Sequence, residues 1–123
     1  MKHLVTRLLM ATALCISVGK AIELMHKYPG TPWSLEQLAQ HAGMSRTRFA
    51  AHFRKVVGVT PFNHLTDWRL GVAQTMLRKG NSLKLIATAA GYTNPTALTR
   101  VFTQRIGTSP TEWLRAQRSI HSR

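Results

Sequence analysis

SLKLIATAAGYTNPTALTRVFTQRIGTSPTEWL, residues 82–114, is the stretch whose grammar settles the fold. It reads as a short helix, a turn at Gly91-Tyr92, and a second helix opened by Asn94-Pro95 and closed by Gly107. Asn94 and Ser109 are residue types whose side chains cap helices, and each precedes a proline that fills the first turn without wasting a donor. Glu112, three residues after Ser109, completes a capping box for a further helix. Gly91 and Gly107 stand where a helix ends in a left-handed residue. Leu83, Ile86 and Ala87 share one face of the first helix, and Leu98, Phe102 and Ile106 share one face of the second. Small alanines let two such faces cross closely, which is the form of a helix-turn-helix.

The same grammar occurs upstream in WSLEQLAQHAGMSRTRFAAHFRKVVGVTPFNHL, residues 33–65. Ser34-Leu35, Leu38-Ala39 and Ala42-Gly43 answer to Ser82-Leu83, Ile86-Ala87 and Ala90-Gly91 at an offset of 48. Phe49, Phe53, Gly58, Thr60-Pro61 and Leu65 answer to Leu98, Phe102, Gly107, Ser109-Pro110 and Leu114 at an offset of 49, so the second turn is one residue longer. Ser34 and Gln37 form a capping box, and Trp33 is placed to staple onto Leu38. Leu35, Leu38 and Ala39 face Phe49, Phe53 and Val57. Two copies fall short of the three or more that a solenoid needs, so this is a duplicated helix pair.

Working outward, the segment between the copies is one helix over 61–78 with a wide apolar surface at Phe62, Leu65, Trp68, Val72, Ala73 and Met76. At about 1.5 Å per residue it makes a rod of roughly 27 Å. That length suits two reading helices set close to the ~34 Å between successive major grooves on one face of DNA. At the other end, Lys2 and His3 followed by the apolar run Leu8 to Val18 and then Gly19 resemble a secretory leader. Against that, Leu4, Leu8, Ala11, Cys15, Val18, Ile22 and Met25 alternate steps of four and three, one stripe that passes straight through the supposed cleavage point. The helical reading is therefore preferred, with Gly19 as a point of interruption. Helices are predicted near 20–28, 35–42, 45–57, 61–78, 83–90, 95–106 and 110–118, and no segment alternates like a strand. The fold class is all-α. Residues 1–19 form a helical extension, and 20–123 one domain with helix-turn-helix motifs at 34–58 and 82–107, the linker helix at 61–78 and a last helix at 110–118.

The chain has 123 residues, with 17 Lys and Arg against 4 Asp and Glu, a formal charge of +13. Such a field attracts polyanions, nucleic acid first and an anionic membrane surface second. Glu23, Glu36, Asp67 and Glu112 are scattered, so no carboxylate pair is available for acid–base work or for a hard cation. There is no Gly-rich phosphate loop and no nucleophile elbow, and the chain reads as no enzyme. His41, His52 and His64 lack the spacing of helical metal ligands, so neither metal nor cofactor is expected. The single cysteine, Cys15, reads as a small core residue and suits a reducing compartment, the cytoplasm. Trp33, Trp68 and Trp113 read as core anchors rather than base-stacking platforms. The outer faces of the second helices carry different cargo. Arg46, Arg48, His52, Arg54 and Lys55 crowd the first, while Thr96, Thr99, Arg100, Thr103, Gln104 and Arg105 follow on the second, with no acid on either. Cations, hydroxyls and amides on an exposed helix are what phosphates and base edges bind.

From about Ile22 to Arg118 the sequence resembles the DNA-binding domain of the AraC/XylS transcription regulators. The first copy and the linker DWRLGVAQTMLRKG are similar to that family throughout. The second copy carries its most specific pattern: Gly91-Tyr92, the four-spaced Leu98 and Phe102, then Gly107-x-Ser109-Pro110-x-x-Trp113. The resemblance implies a seven-helix, homeodomain-like bundle whose third and sixth helices enter adjacent major grooves of double-stranded DNA, usually activating transcription through RNA polymerase. It implies base reading from Thr47, Ala50 and Ala51 in the first copy and from Pro95, Thr96, Thr99 and Arg100 in the second. Ser45, Arg46, Arg48, His52, Arg54, Asn94, Thr103 and Arg105 complete the expected DNA-binding set. Ala50 and Ala51 depart from the pattern, since neither can hydrogen-bond a base; Arg100 can grip guanine with two bonds. Many relatives place a ligand-sensing domain before this module and others consist of the module alone, so residues 1–19 read as a sensor tail or a short native extension. The competing expectation is a secreted or membrane-surface cationic helical protein.

Overall fold

A computed structural model describes the backbone of residues 2–121 and the side chains of 15–120. Its helices are α1 (Lys2–Lys27), α2 (Leu35–His41), α3 (Arg46–Val57), α4 (Pro61–Arg78), α5 (Leu83–Ala90), α6 (Pro95–Ile106) and α7 (Pro110–His121). No strand occurs among the described residues. The starts are where the caps stand. Ser34 Oγ accepts from the Gln37 N–H while Gln37 Oε1 accepts from the Ser34 N–H, a complete capping box. Ser45, Ser82, Asn94 and Ser109 each accept from the backbone N–H three residues on, and so does Thr60 at the head of α4.

The second helix of each copy ends alike, α3 at Gly58 and α6 at Gly107, each with φ 94° and ψ −10°. Nothing lies within 4 Å of where a Cβ at Gly107 would go, so only the left-handed backbone penalises a side chain there. Gly107→Ala is therefore expected to cost about 1–2 kcal/mol. Thermal melts followed by circular dichroism check it, with a drop of several degrees expected for a chain this short.

The N-terminal helix differs from expectation. α1 is one uninterrupted helix through Gly19, not a segment beginning at residue 20. Val18, Ala21 and Met25 are buried along it, with Ile22 beside them, so the stripe reaches the core as the periodicity implies. Cys15 does not: it is exposed, because the cluster covering α1 begins one turn later at Val18. The positions Leu4, Leu8 and Ala11 lie outside the described side chains.

The chain divides inside α4 into two compact units, Met1–Thr66 and Asp67–Arg123. In the first, Val18, Ala21 and Met25 of α1 meet Leu38 and Ala39 of α2, Phe49 and Phe53 of α3, and Leu65. Trp33 packs at the margin, where its Nε1–H also donates to the Tyr28 carbonyl at 2.9 Å. In the second, Leu70, Ala73 and Leu77 of α4 meet Ile86 and Ala87 of α5 and Leu98 and Phe102 of α6, with Trp113 at the margin. Each copy thus packs the predicted faces. Trp68 is the correction: it is 38% exposed, and Leu70 and Leu77 hold the core instead. Two residues along a helix is a rotation of about 200°, so Trp68 and Leu70 cannot both face inward. Phe62 is likewise exposed rather than part of a core.

His26 of α1 and His64 of α4 form a pair that histidine spacing alone did not reveal. Their Nε2 atoms lie 2.9 Å apart, with ring centroids at 5.1 Å and planes 19° apart. Centroids so far apart for so short a nitrogen contact mean that the rings meet edge to edge, one N–H donating to the other's bare nitrogen. Burial, and then the facing His64, hold the His26 imidazole below its ordinary value of 6.5. A group harder to protonate folded than unfolded contributes stability that is complete above that ordinary value and is lost as the pH falls below it. The melting temperature is expected to decline on acidification below 6.5, and His26→Gln to flatten that decline. Melts at stepped pH test both.

Candidate nucleic-acid interface

With about 100° of rotation per residue, the core contacts of α3 fix which side chains point away. Phe49 and Phe53 are fully buried, so Ala51 stands at the centre of the outward face, with Thr47 and Arg54 on one side and Arg48 and Lys55 on the other. All five are exposed, as is Arg46 in the first turn. Ala50 is half-buried on the shoulder. His52 is half-buried on the other shoulder, and its Nε2 is buried without a hydrogen-bond partner. Ser45 is exposed, but its hydroxyl oxygen already accepts from the Arg48 N–H at 3.3 Å.

Helix α6 repeats this geometry with different side chains. Leu98 and Phe102 are fully buried, and Arg100 occupies the place that Ala51 holds in α3. Thr96 and Thr103 flank it on one side and Ala97 and Gln104 on the other, Ala97 being half-buried. Asn94 Oδ1 caps the helix by accepting from the Ala97 N–H at 2.8 Å, and half-buried Pro95 takes the first turn; both act chiefly on the helix start. Half-buried Thr99 accepts through its carbonyl the Thr103 hydroxyl at 2.7 Å, leaving Thr103 its lone pairs for a partner. Arg105 is committed elsewhere, to Asp67 at 3.3 Å. Both side chains are substantially exposed, so this ion pair adds little stability, but it directs the guanidinium toward α4.

Lys55 and Gln104, which the charge pattern already puts on the outer faces but the expected DNA-binding set omits, are exposed there. The signal available in the sequence was their spacing from Arg48 and Arg100 respectively, since residues four or seven apart share a face. Neither α3 nor α6 carries an acid. Other cations serve their own unit: Arg78 lies 5.1 Å over the Trp113 ring and Arg69 lies 5.9 Å over Tyr92. Burial lowers the Arg69 pKa and raises that of the Tyr92 hydroxyl. Among the described residues no three His, Cys, Asp or Glu side chains group as metal ligands, and no helix is long and apolar enough to cross a membrane.

Two helix-turn-helix units, each presenting an acid-free outer helix, place the chain in the class of tandem helix-turn-helix proteins. A family profile described as the helix-turn-helix domain matches residues 38–116. The chain belongs to that family, in its AraC/XylS branch. It is 36% identical over 97 residues to a putative AraC-like transcription regulator of Streptomyces lividans, covering 78% of this chain and 32% of that protein. It is 36% identical over 104 residues to the RCS-specific HTH-type transcriptional activator RclR of Escherichia coli K12, covering 84% and 37%. The chain thus spans about a third of the length of the curated relatives it matches. Among solved structures it superposes on the DNA-binding domain of AdpA, a global transcriptional factor crystallised with a target DNA. The TM-score is 0.79 and the identity 27%, over 86% of this chain and 96% of that one.

Proposed function

We propose that the protein is a sequence-specific DNA-binding transcriptional regulator whose α3 and α6 each enter a major groove of double-stranded DNA. One observation carries this reading: in both copies the helix face left free by the core bears cations, hydroxyls and small side chains and no acid. The AdpA domain, solved on its target DNA, supports it, as do relatives named as transcription regulators. Activation through RNA polymerase, action in the cytoplasm and control by a separate sensor domain are part of the same proposal; RclR is named an activator. The rival of a cationic protein at a membrane surface drew on the leader-like run up to Val18. That run lies within α1, whose Val18 is part of the core.

Selection of bound duplexes from random DNA, followed by gel shifts against excess competitor, tests the reading. A selected fragment is expected to stay bound when unselected DNA displaces nothing. Arg100→Ala is expected to cost about 1–3 kcal/mol of discrimination at one base pair. Arg46→Ala, by contrast, is expected to weaken selected and unselected DNA alike. Equal losses for both variants on both DNAs would contradict these roles.

A further inference from the structure

The two outward faces are inverses of each other. In α3 the central position is Ala51, surrounded by Arg48, Arg54 and Lys55; in α6 the central position is Arg100, surrounded by Ala97, Thr103 and Gln104. Four of the five positions have exchanged charge for neutrality or the reverse; the fifth holds threonine in both helices, Thr47 and Thr96. The centre of a helix lying in a groove points at base edges, whereas its flanks point at the two phosphate ridges. On that geometry α3 places three cations against phosphates and a methyl group against the bases. Helix α6 places one cation against the bases and uncharged groups against the phosphates.

We infer that the two copies divide the work unequally: α6, centred on Arg100, discriminates sequence, while α3 supplies sequence-independent anchorage and reads at most a thymine methyl through Ala51. This rests on the DNA-binding reading above. The surroundings of Ala51 agree. An open hollow of about 340 Å³ beside it is lined by Ala50, Ala51, Arg54 and Thr60 with Leu35, Pro61 and Phe62, so its wall is mostly hydrocarbon, with one guanidinium and one hydroxyl. Alanine beside such a wall favours the C5 methyl of thymine and has no donor for guanine or acceptor for cytosine. The sequence already sets Ala50 and Ala51 against Arg100; the core contacts add that Ala51 and Arg100 are the central residues of their helices and that cations flank only the first.

The experiment is selection from random duplex DNA with the wild-type chain, Arg100→Ala, Ala51→Arg and Arg54→Ala, each then measured on selected and unselected DNA. Wild-type selection is expected to enrich one half of the site strongly, around an invariant guanine, and the other half weakly, with no preference beyond thymine. Arg100→Ala is expected to abolish the guanine preference, at least tenfold in relative affinity, and to change binding to unselected DNA by no more than twofold or threefold. Arg54→Ala is expected to weaken both DNAs by the same factor. Ala51→Arg is expected to create a new guanine preference in the weak half, which also identifies that half as the one under α3. Two strongly enriched halves from the wild-type chain, or an enrichment that Arg100→Ala leaves intact, would overturn the division. A wild-type chain that binds no DNA at low salt fails earlier and sinks the DNA-binding reading itself.

Discussion

Raising the salt from 50 to 200 mM is expected to weaken the protein's hold on DNA about a hundredfold or more. Arg46, Arg48, Arg54 and Lys55 are exposed, lie on one helix and have no acid among them. If each neutralises one phosphate, the logarithm of the binding constant falls with the logarithm of salt at a slope of about −3.6, and a fourfold rise in salt costs about 150-fold. Contacts from other cations steepen the slope. The formal charge of +13 cannot itself be used for this figure, because charges beyond a Debye length of the duplex release few ions. Arg105, which faces Asp67, and Arg69 and Arg78, which lie over aromatic rings, are not counted in this figure. Anisotropy titrations over a salt series give the slope directly. Arg54→Ala is expected to make it shallower by about 0.9. A wild-type slope near −1 would mean that the α3 cations are a solvated face and nothing more.

The loss should fall on selected and unselected DNA together, because phosphate contacts carry no sequence information. Discrimination between them should therefore survive as salt rises, even while both affinities collapse. This separates the two tasks assigned to α3 and α6 by a means independent of mutation. A salt-sensitive specificity ratio would place base-reading contacts among the cations of α3.

Helix starts and stops were legible in the sequence because capping is local chemistry. Ser34 with Gln37, Asn94 with Pro95, and the left-handed glycines act within three or four residues and need no distant partner. The two cores were legible for a related reason: Phe49 with Phe53 and Leu98 with Phe102 are i, i+4 pairs, and only one face of a short helix can be buried. What sequence pattern did not yield depended on contacts far along the chain. Whether Cys15 was covered turned on how far α2 and α3 extend along α1. Whether Trp68 or Leu70 faced inward turned on the roll of α4, since that helix offers apolar residues on more than one side. The His26–His64 contact joins residues 38 apart, and so does the ion pair of Asp67 with Arg105. In the candidate site, charge and residue type were readable but direction was not. His52 has its Nε2 buried without a partner, which its place among exposed arginines did not foretell, and Lys55 and Gln104, named on the outer faces but left out of the expected DNA-binding set, do lie outward.

Phe102→Ala is expected to unfold the second unit near physiological temperature. The ring is fully buried and meets Trp113 edge-on at 6.0 Å, within the cluster that holds Leu70, Ala73, Leu77, Ile86 and Leu98. Truncating such a phenylalanine removes about 3–5 kcal/mol through lost transfer energy and the cavity left behind. A unit this small has a total stability of only several kcal/mol, so the variant lies at the edge of folding. Phe102→Leu keeps most of the volume and is expected to cost less than about 1.5 kcal/mol. Thermal melts by circular dichroism distinguish the two, and an alanine variant melting within a few degrees of wild type would show that the cluster does not depend on the ring. The consequence for DNA should be selective. Arg100 remains in the Phe102→Ala chain, yet its direction relative to any groove is set by Leu98 and Phe102 being pinned on the opposite side of α6. Base discrimination should therefore vanish with the melted unit, just as it does in Arg100→Ala, while the cations of α3, held by Phe49 and Phe53, continue to bind unselected DNA.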